Sequence, residues 1–224
     1  MIIISDKMEE VLLKSRLFEG VERSDFAIIL NCLNASIKTY QENSQVYPKY
    51  QPIDRIGIII SGAVDFYINK ADGNVDLINR LYAGDGVGEV FACSGAVLKS
   101  LEYSCIANSK ILFLDVPRAY SDKCACAYGE KYKVMENMLK AISEDNIFMN
   151  KKLLILSQKK LRDKLLMYIH LFKAKDSKAI WIPFNRQDLA NFISADRSAV
   201  SRELTKMKND QLIKIEANKI IVLE

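Results

Sequence analysis

The chain has 224 residues, a net charge of +4 and a single histidine. That length holds one large domain or two small ones with a buried core. Half of the residues are apolar and 27% are charged, the balance of a globular protein in water, and apolar runs such as Ile56–Ile60 fall far short of the roughly 20 residues that cross a bilayer.

The opening Met1–Asp6 has no basic flank and too short an apolar stretch for a signal peptide. A cytoplasmic protein with no membrane partner is therefore expected. Five cysteines, Cys32, Cys93, Cys105, Cys124 and Cys126, are an odd number without a dense framework, which predicts reduced thiols in that compartment. The single histidine, His170, lies in the apolar helical run 165–172. One histidine supports neither a paired-histidine metal site nor a histidine-based triad. There is also no nucleophile elbow and no Gly-rich nucleotide loop in a suitable context. No enzyme activity, catalytic residue or metal ligand set is expected.

The charge is uneven. Residues 1–150 carry a net −4 and residues 151–224 a net +8. A basic C-terminal third joined to a mildly acidic remainder suggests a polyanion-binding module attached to something else.

In chain order, Asp6 is placed to cap a helix bearing Val11, Leu12 and Leu13. Ser24-Asp25 opens a second helix with Phe26, Ile29, Leu30 and Leu33 at helical spacing. From about 37 to 116 the period changes. The run 58–68 alternates partly, and Asp72-Gly73 is a hairpin signal. Residues 79–86, 104–107 and 110–115 read as further strands and turns. Short strands at this spacing predict a β-sandwich or jelly-roll. From about 128 to 156, Met135, Met138 or Leu139, Ile142, Met149 and Leu156 follow an a/d pattern, which predicts a dimerisation helix.

Near the C-terminus, Asn185 is placed to cap a short helix over 185–193, with Asp188 completing an approximate capping box. Leu189, Phe192 and Ile193 form its apolar face. Ser194-Ala195 is a turn. Asp196 caps a second helix from Arg197 to about Lys208. Val200, Leu204 and Met207 form its buried face, and Arg197, Ser198, Ser201, Arg202 and Thr205 face outward. Two short helices, a tight turn and a cationic outer face make a helix-turn-helix. Residues 211–223, with Asn218 at a turn position, add a hairpin and so a wing.

Arg186-Gln-Asp-Leu-Ala190, Asp196-Arg-Ser-Ala-Val-Ser-Arg-Glu-Leu204 and Leu212-Ile213 before the wing resemble the DNA-binding domain of the CRP/FNR regulators, named for the cyclic-AMP receptor and the fumarate-nitrate-reduction regulator. Ile60-Ser-Gly-Ala-Val64 and Ala83-Gly-Asp-Gly-Val-Gly-Glu89 resemble that family's effector-binding jelly-roll. The resemblance implies an α+β chain of three parts: a sensing jelly-roll with N-terminal helices (1–127), a dimerisation helix (128–157) and a winged helix-turn-helix (158–224).

It also implies a homodimeric, sequence-specific transcriptional regulator on a palindromic double-stranded DNA operator, with RNA polymerase as a further partner. Arg197, Ser198 and Arg202 stand where the family reads bases, with Ser201 and Thr205 on the same face. Arg186 and Gln187 stand at phosphate positions. Serine at 198 replaces a glutamate common in the family, which predicts a half-site unlike that of the cyclic-AMP receptor. Serine at 194 replaces a frequent turn glycine, at some conformational cost.

Gly86, Gly88, Glu89, Val90, Lys99 and Ser100 of the cassette, with Tyr132, Met135 and Leu139 of the long helix, are the implied effector contacts. The cassette has no arginine for a cyclic phosphate, so an unknown small molecule or redox signal is expected rather than cyclic AMP, and no cofactor is assigned. Residues 1–31 hold no cysteine for an iron–sulfur cluster, and His170 is badly placed for haem. Two alternatives stay open: a constitutive DNA-binding regulator with a vestigial barrel, and a ligand-binding signalling module without DNA binding.

Overall fold

The computed structural model describes all residues except 1–2, 71–72, 74, 96, 98, 116–117, 119–127, 174–176, 178, 182–184, 217–218 and 224. The described residues form two compact units. One comprises 1–73 and 78–144, the other 74–77 and 145–224.

The first unit begins with α1 (Asp6–Lys14), two single-turn 3-10 helices (Arg16–Phe18 and Arg23–Asp25) and α2 (Phe26–Cys32). The cap of α1 is Ser5 rather than Asp6: the Ser5 hydroxyl accepts from the Met8 N–H at 3.4 Å. Sequence spacing alone does not separate two adjacent cap-forming residues. Strands β1 (Ser36–Tyr40), β2 (Ile56–Ser61), β3 (Ala63–Asn69), β4 (Val75–Tyr82), β5 (Gly86–Val87), β6 (Leu101–Cys105) and β7 (Ser109–Leu114) follow, with the short helix α3 (Glu89–Ser94) after β5. They form two sheets, ordered β1-β7-β2-β5 and β4-β3-β6.

The run 58–68 is two strands. Gly62, at φ +93°, turns the chain from one sheet into the other. A Cβ there would meet Ser109 Oγ at 2.2 Å and the Asn108 carbonyl oxygen at 2.6 Å, so only glycine fits this corner. β2 does not alternate: Ile56 through Ile60 are all buried. Met8, Leu12, Phe18, Phe26, Ile29 and Leu30 of the helices share one core with the strands, so both faces of β2 are covered. β3 and β4 are sheet neighbours, as the hairpin signal required; Asp72 itself lies outside the described residues. Helix α3 had no signal in the sequence reading.

Cys93 and Cys105 are free, but Cys32 is disulfide-bonded, which corrects the expectation of five reduced thiols. Cysteine count and compartment carry no information about which sulfurs a fold brings together. Cys124 and Cys126 lie outside the described residues.

Helix α4 (Tyr128–Leu156) has two faces. Val134, Asn137, Met138, Ala141, Lys152 and Ile155 are buried, whereas Tyr132, Leu139, Ile147, Met149, Leu153 and Leu154 are exposed. Of the two candidates for one seam position, Met138 belongs to the buried face and Leu139 to the open one. The buried Asn137 amide donates to the carbonyls of Leu17 at 3.1 Å and Glu19 at 2.7 Å.

The second unit continues with α5 (Leu161–Phe172), β8 (Ala179–Trp181), α6 (Arg186–Phe192), α7 (Arg197–Asn209), β9 (Ile213–Glu216) and β10 (Lys219–Val222). Its core joins Ile155, Leu165, Tyr168, Leu189, Phe192 and Val200, among others. β9 and β10 pair antiparallel as the wing, and β8, unforeseen in the sequence, adds to the free side of β10. Asn218 lies outside the described residues.

Candidate nucleic-acid interface and effector site

Helix α6 starts at Asn185, whose side chain accepts from the Asp188 N–H at 2.9 Å. Leu189 and the small Ala190 are fully buried, in one core with Val200, Leu204 and Met207 of α7. Ser194 takes the left-handed conformation at φ +49°, which permits the tight turn that glycine otherwise serves. Asp196 then caps α7, its carboxylate accepting from the Ser198 and Ala199 N–H groups at 2.8 and 3.0 Å. The Ser198 hydroxyl donates to the same oxygen at 2.5 Å. These bonds hold the Asp196 carboxyl below its ordinary pKa of 3.8, the Ser198 hydroxyl contributing most.

Val200, Leu204 and Met207 are buried beneath α7, at 0–1% exposure. Arg197, Ser198, Arg202 and Thr205 are exposed, and Ser201 is half-buried. Arg202 Nη2 donates to Ser198 Oγ at 3.3 Å, and Thr205 Oγ1 donates to the Ser201 carbonyl at 3.0 Å. One face therefore carries two guanidinium forks on a buried apolar base. At the start of α6, Arg186 is half-buried and Gln187 exposed, the latter donating to Asn191 Oδ1 at 2.9 Å.

Two supporting residues escaped the sequence reading. Lys164 of α5 donates to the Ile193 carbonyl at 3.1 Å, satisfying the end of α6. Arg162 of α5 meets Glu203 at 2.6 Å and Asp210 at 2.8 Å. Nothing local in the sequence links positions so far apart.

The implied effector residues differ in exposure. Lys99, Ser100 and Val90 are exposed, whereas Gly86 and Glu89 are buried. The Glu89 carboxylate lies against Gly86, where a Cβ would meet Glu89 Oε1 at 1.7 Å. Arg16 Nη2 stands 3.6 Å from that carboxylate. The same guanidinium donates to the Ala141 carbonyl and to Glu144 on α4, at 3.5 and 3.4 Å. Gly88, in the left-handed region at φ +84°, makes room for the Tyr47 hydroxyl. Tyr47 donates to the Val87 carbonyl at 2.8 Å, and burial pushes its pKa well above the ordinary value.

Glu102 accepts from Lys49, Tyr67 and Asn69 at 2.9, 3.1 and 3.0 Å. Phe66 stacks on Tyr103 at 4.2 Å with Phe91 edge-on. Of the long-helix residues, Tyr132 and Leu139 are exposed and Met135 is half-buried.

A Crp-like helix-turn-helix domain is recognised over residues 159–224. The chain is 22% identical over 223 residues to the CRP-like cAMP-activated global transcriptional regulator of Mycobacterium tuberculosis, covering 96% of this chain and 95% of that protein. Its fold is similar to that of the c-di-GMP responsive global regulator CLP of Xanthomonas campestris, with a TM-score of 0.68 at 14% identity, over 91% of this chain and 100% of that one. A variant of CooA from Carboxydothermus hydrogenoformans aligns with a TM-score of 0.69 at 15% identity, over 99% and 94% of the two chains. The chain thus shares the fold of these regulators, a β-sheet domain, a long helix and a winged helix-turn-helix in this order, and residues 159–224 match the Crp-like helix-turn-helix domain.

Proposed function

We propose that the chain acts in the cytoplasm as a homodimer, reads a palindromic operator through α7, and answers to a small-molecule or redox effector other than cyclic AMP. The observation that carries this reading is the exposed face of Arg197, Ser198 and Arg202 above fully buried Val200, Leu204 and Met207. An α-helix fits the major groove, where a guanidinium fork matches guanine O6 and N7. Arg202 and Arg197 are the base readers, Ser198, Ser201 and Thr205 supplement them, and Arg186 and Gln187 hold phosphates.

The functional parts are residues 1–127 for sensing, 128–157 for dimerisation and 158–224 for DNA. Two copies joined along α4 set two recognition helices about 34 Å apart, one DNA turn. RNA polymerase is the further protein partner. The effector acts on the cassette residues Gly86, Gly88, Glu89, Val90, Lys99 and Ser100 and on Tyr132, Met135 and Leu139. It shifts the dimer only by its differential affinity for two arrangements.

A second reading, constitutive DNA binding with a vestigial barrel, is favoured by one observation. The cassette glycines accommodate the protein's own Glu89 and Tyr47 side chains.

A band-shift titration against a palindromic promoter fragment, with and without a metabolite and oxidant panel, tests both. Salt-sensitive binding that a panel member alters by tenfold or more supports the first reading. Tight binding that no member alters supports the second. Absence of salt-dependent DNA affinity overturns both.

A further inference from the structure

We propose that Asn146 sets the number and register of the chains joined along α4, by pairing with Asn146 of a second copy. This rests on the homodimer reading above and adds what fixes its geometry. Along the open side of α4 the steps alternate three and four residues. Tyr132, Leu139, Asn146 and Leu153 occupy the a positions and are exposed, with Met135, Ile142, Met149 and Leu156 at d; Met135, Ile142 and Leu156 are half-buried, Ile142 packing in part against the chain's own core. Seven of the eight are apolar or aromatic; Asn146 is the one amide, and it is exposed in the single chain.

The apolar layers do not specify two strands. Leucine at a with isoleucine at d, as at Leu139 and Ile142, is the combination that favours higher-order bundles. Charge pairs along the seam do not specify a partner either. On one flank stand Glu136, Ser143, Asn150 and Ser157, with a single charge among them. On the other stand Met138, Asp145, Lys152 and Lys159; Met138 and Lys152 are buried, and in a parallel pair Asp145 and Lys152 would face the uncharged Asn150 and Ser157. The choice falls to Asn146.

In a parallel pair, a faces a, so in register each Asn146 amide donates to the carbonyl of the other. Slipping by one heptad sets Asn146 against Leu139 or Leu153, and antiparallel pairing sets it against a d residue. Either arrangement buries an amide without a partner. Asn150 Nδ2 already donates to Asn146 Oδ1 at 2.9 Å. The Asn146 carbonyl keeps a second lone pair and its own amide can donate, enough for a reciprocal pair across the seam.

The test uses the full chain in two variants. Asn146→Leu is expected to keep its fold, since the side chain is exposed, but to shift in sedimentation from a two-chain mass to roughly double that mass, with at least tenfold weaker binding to the operator fragment. Asn146→Cys is expected to form a covalent dimer under mild oxidation faster than Asn150→Cys, judged against wild type with its own cysteines. An Asn146→Leu variant that stays two-chain with wild-type operator affinity overturns the proposal, as does cross-linking no faster at 146 than at 150. A wild-type chain that sediments as a monomer removes the dimer reading and this proposal together. A wild-type dimer indifferent to both substitutions removes only the proposal.

Discussion

Arg162 Nε on α5 donates to Glu203 Oε1 on α7 across 2.6 Å. The same guanidinium reaches Asp210 at 2.8 Å, so one side chain grips α7 at two points on its flank. The pair is partly open to solvent, and such pairs contribute little to stability. Its effect is to fix the rotation of the recognition helix. Arg162→Met is therefore expected to melt close to wild type by circular dichroism while binding the operator severalfold more weakly by fluorescence anisotropy. Unchanged operator affinity would show that packing alone orients α7.

The proposed roles of Arg202 and Arg186 separate base reading from phosphate contact. Arg202→Ala is expected to cost the operator complex about 1–3 kcal/mol and to relax preference at one base position. Arg186→Ala is expected to weaken all sequences alike and to lower the salt slope by about one. Competition band shifts over a range of salt distinguish the two patterns. The assignment fails if Arg202→Ala retains both full affinity and full preference.

Asp196 makes the start of α7 sensitive to acid. Its folded pKa is depressed, mainly by the Ser198 hydroxyl and then by two backbone N–H groups. A depressed carboxylate stabilises the fold above its ordinary pKa of 3.8, and that contribution is lost as pH falls through the folded value. Asp196→Asn keeps the cap but not the charge. The difference in urea midpoint between wild type and Asp196→Asn should therefore shrink from neutral pH to about pH 3. A difference independent of pH would contradict the cap network.

Lys152 also makes stability rise with pH, but in an alkaline range and because its charged form is the one that burial penalises. It is 4% exposed, lies 4.3 Å from the Phe192 ring centroid and donates to the Leu77 carbonyl. Burial lowers its pKa from 10.5 to about 7, against the opposing pull of Asp76. Between these values the unfolded chain holds the proton and the folded chain releases it. Stability should therefore rise with pH from about 7 to 10.5. Lys152→Met should flatten that rise and be the more stable form at neutral pH. Parallel pH profiles of thermal unfolding for the two proteins would reveal whether this buried amine is their source.

Gly62→Ala tests the corner between the sheets. The positive φ and the contact with Ser109 and Asn108 together should destabilise by at least about 2 kcal/mol, seen as a lower urea midpoint. Gly73→Ala, also at positive φ but with no neighbour within 4 Å of the added Cβ, should cost less. Equal losses at the two sites would mean that backbone conformation, not crowding, decides the corner.

Much of the DNA-facing unit was legible without coordinates. The caps Asn185 and Asp196, the left-handed Ser194 and the buried triplet Val200, Leu204 and Met207 all follow from interactions within one or two helical turns. Periodicity and capping are local, and the sequence displays them directly. On α4 the heptad spacing picked out Leu139 and Met149, which are exposed, together with Met138, which is buried.

Other features had no local trace. The corner at Gly62 depends on Asn108 and Ser109 arriving from another strand. Glu89, implied as an effector contact, meets Arg16 from a helix 73 positions earlier in the chain. Glu102, only three positions from Lys99, is paired with the distant Lys49. The disulfide at Cys32 ran against cysteine counting. Amino-acid order by itself thus determined most of the element types and the helix-turn-helix with its buried base. Only the tertiary structure decided the partners of the buried charges, because those pairings join residues far apart in the chain and their energies depend on burial that the packed core creates.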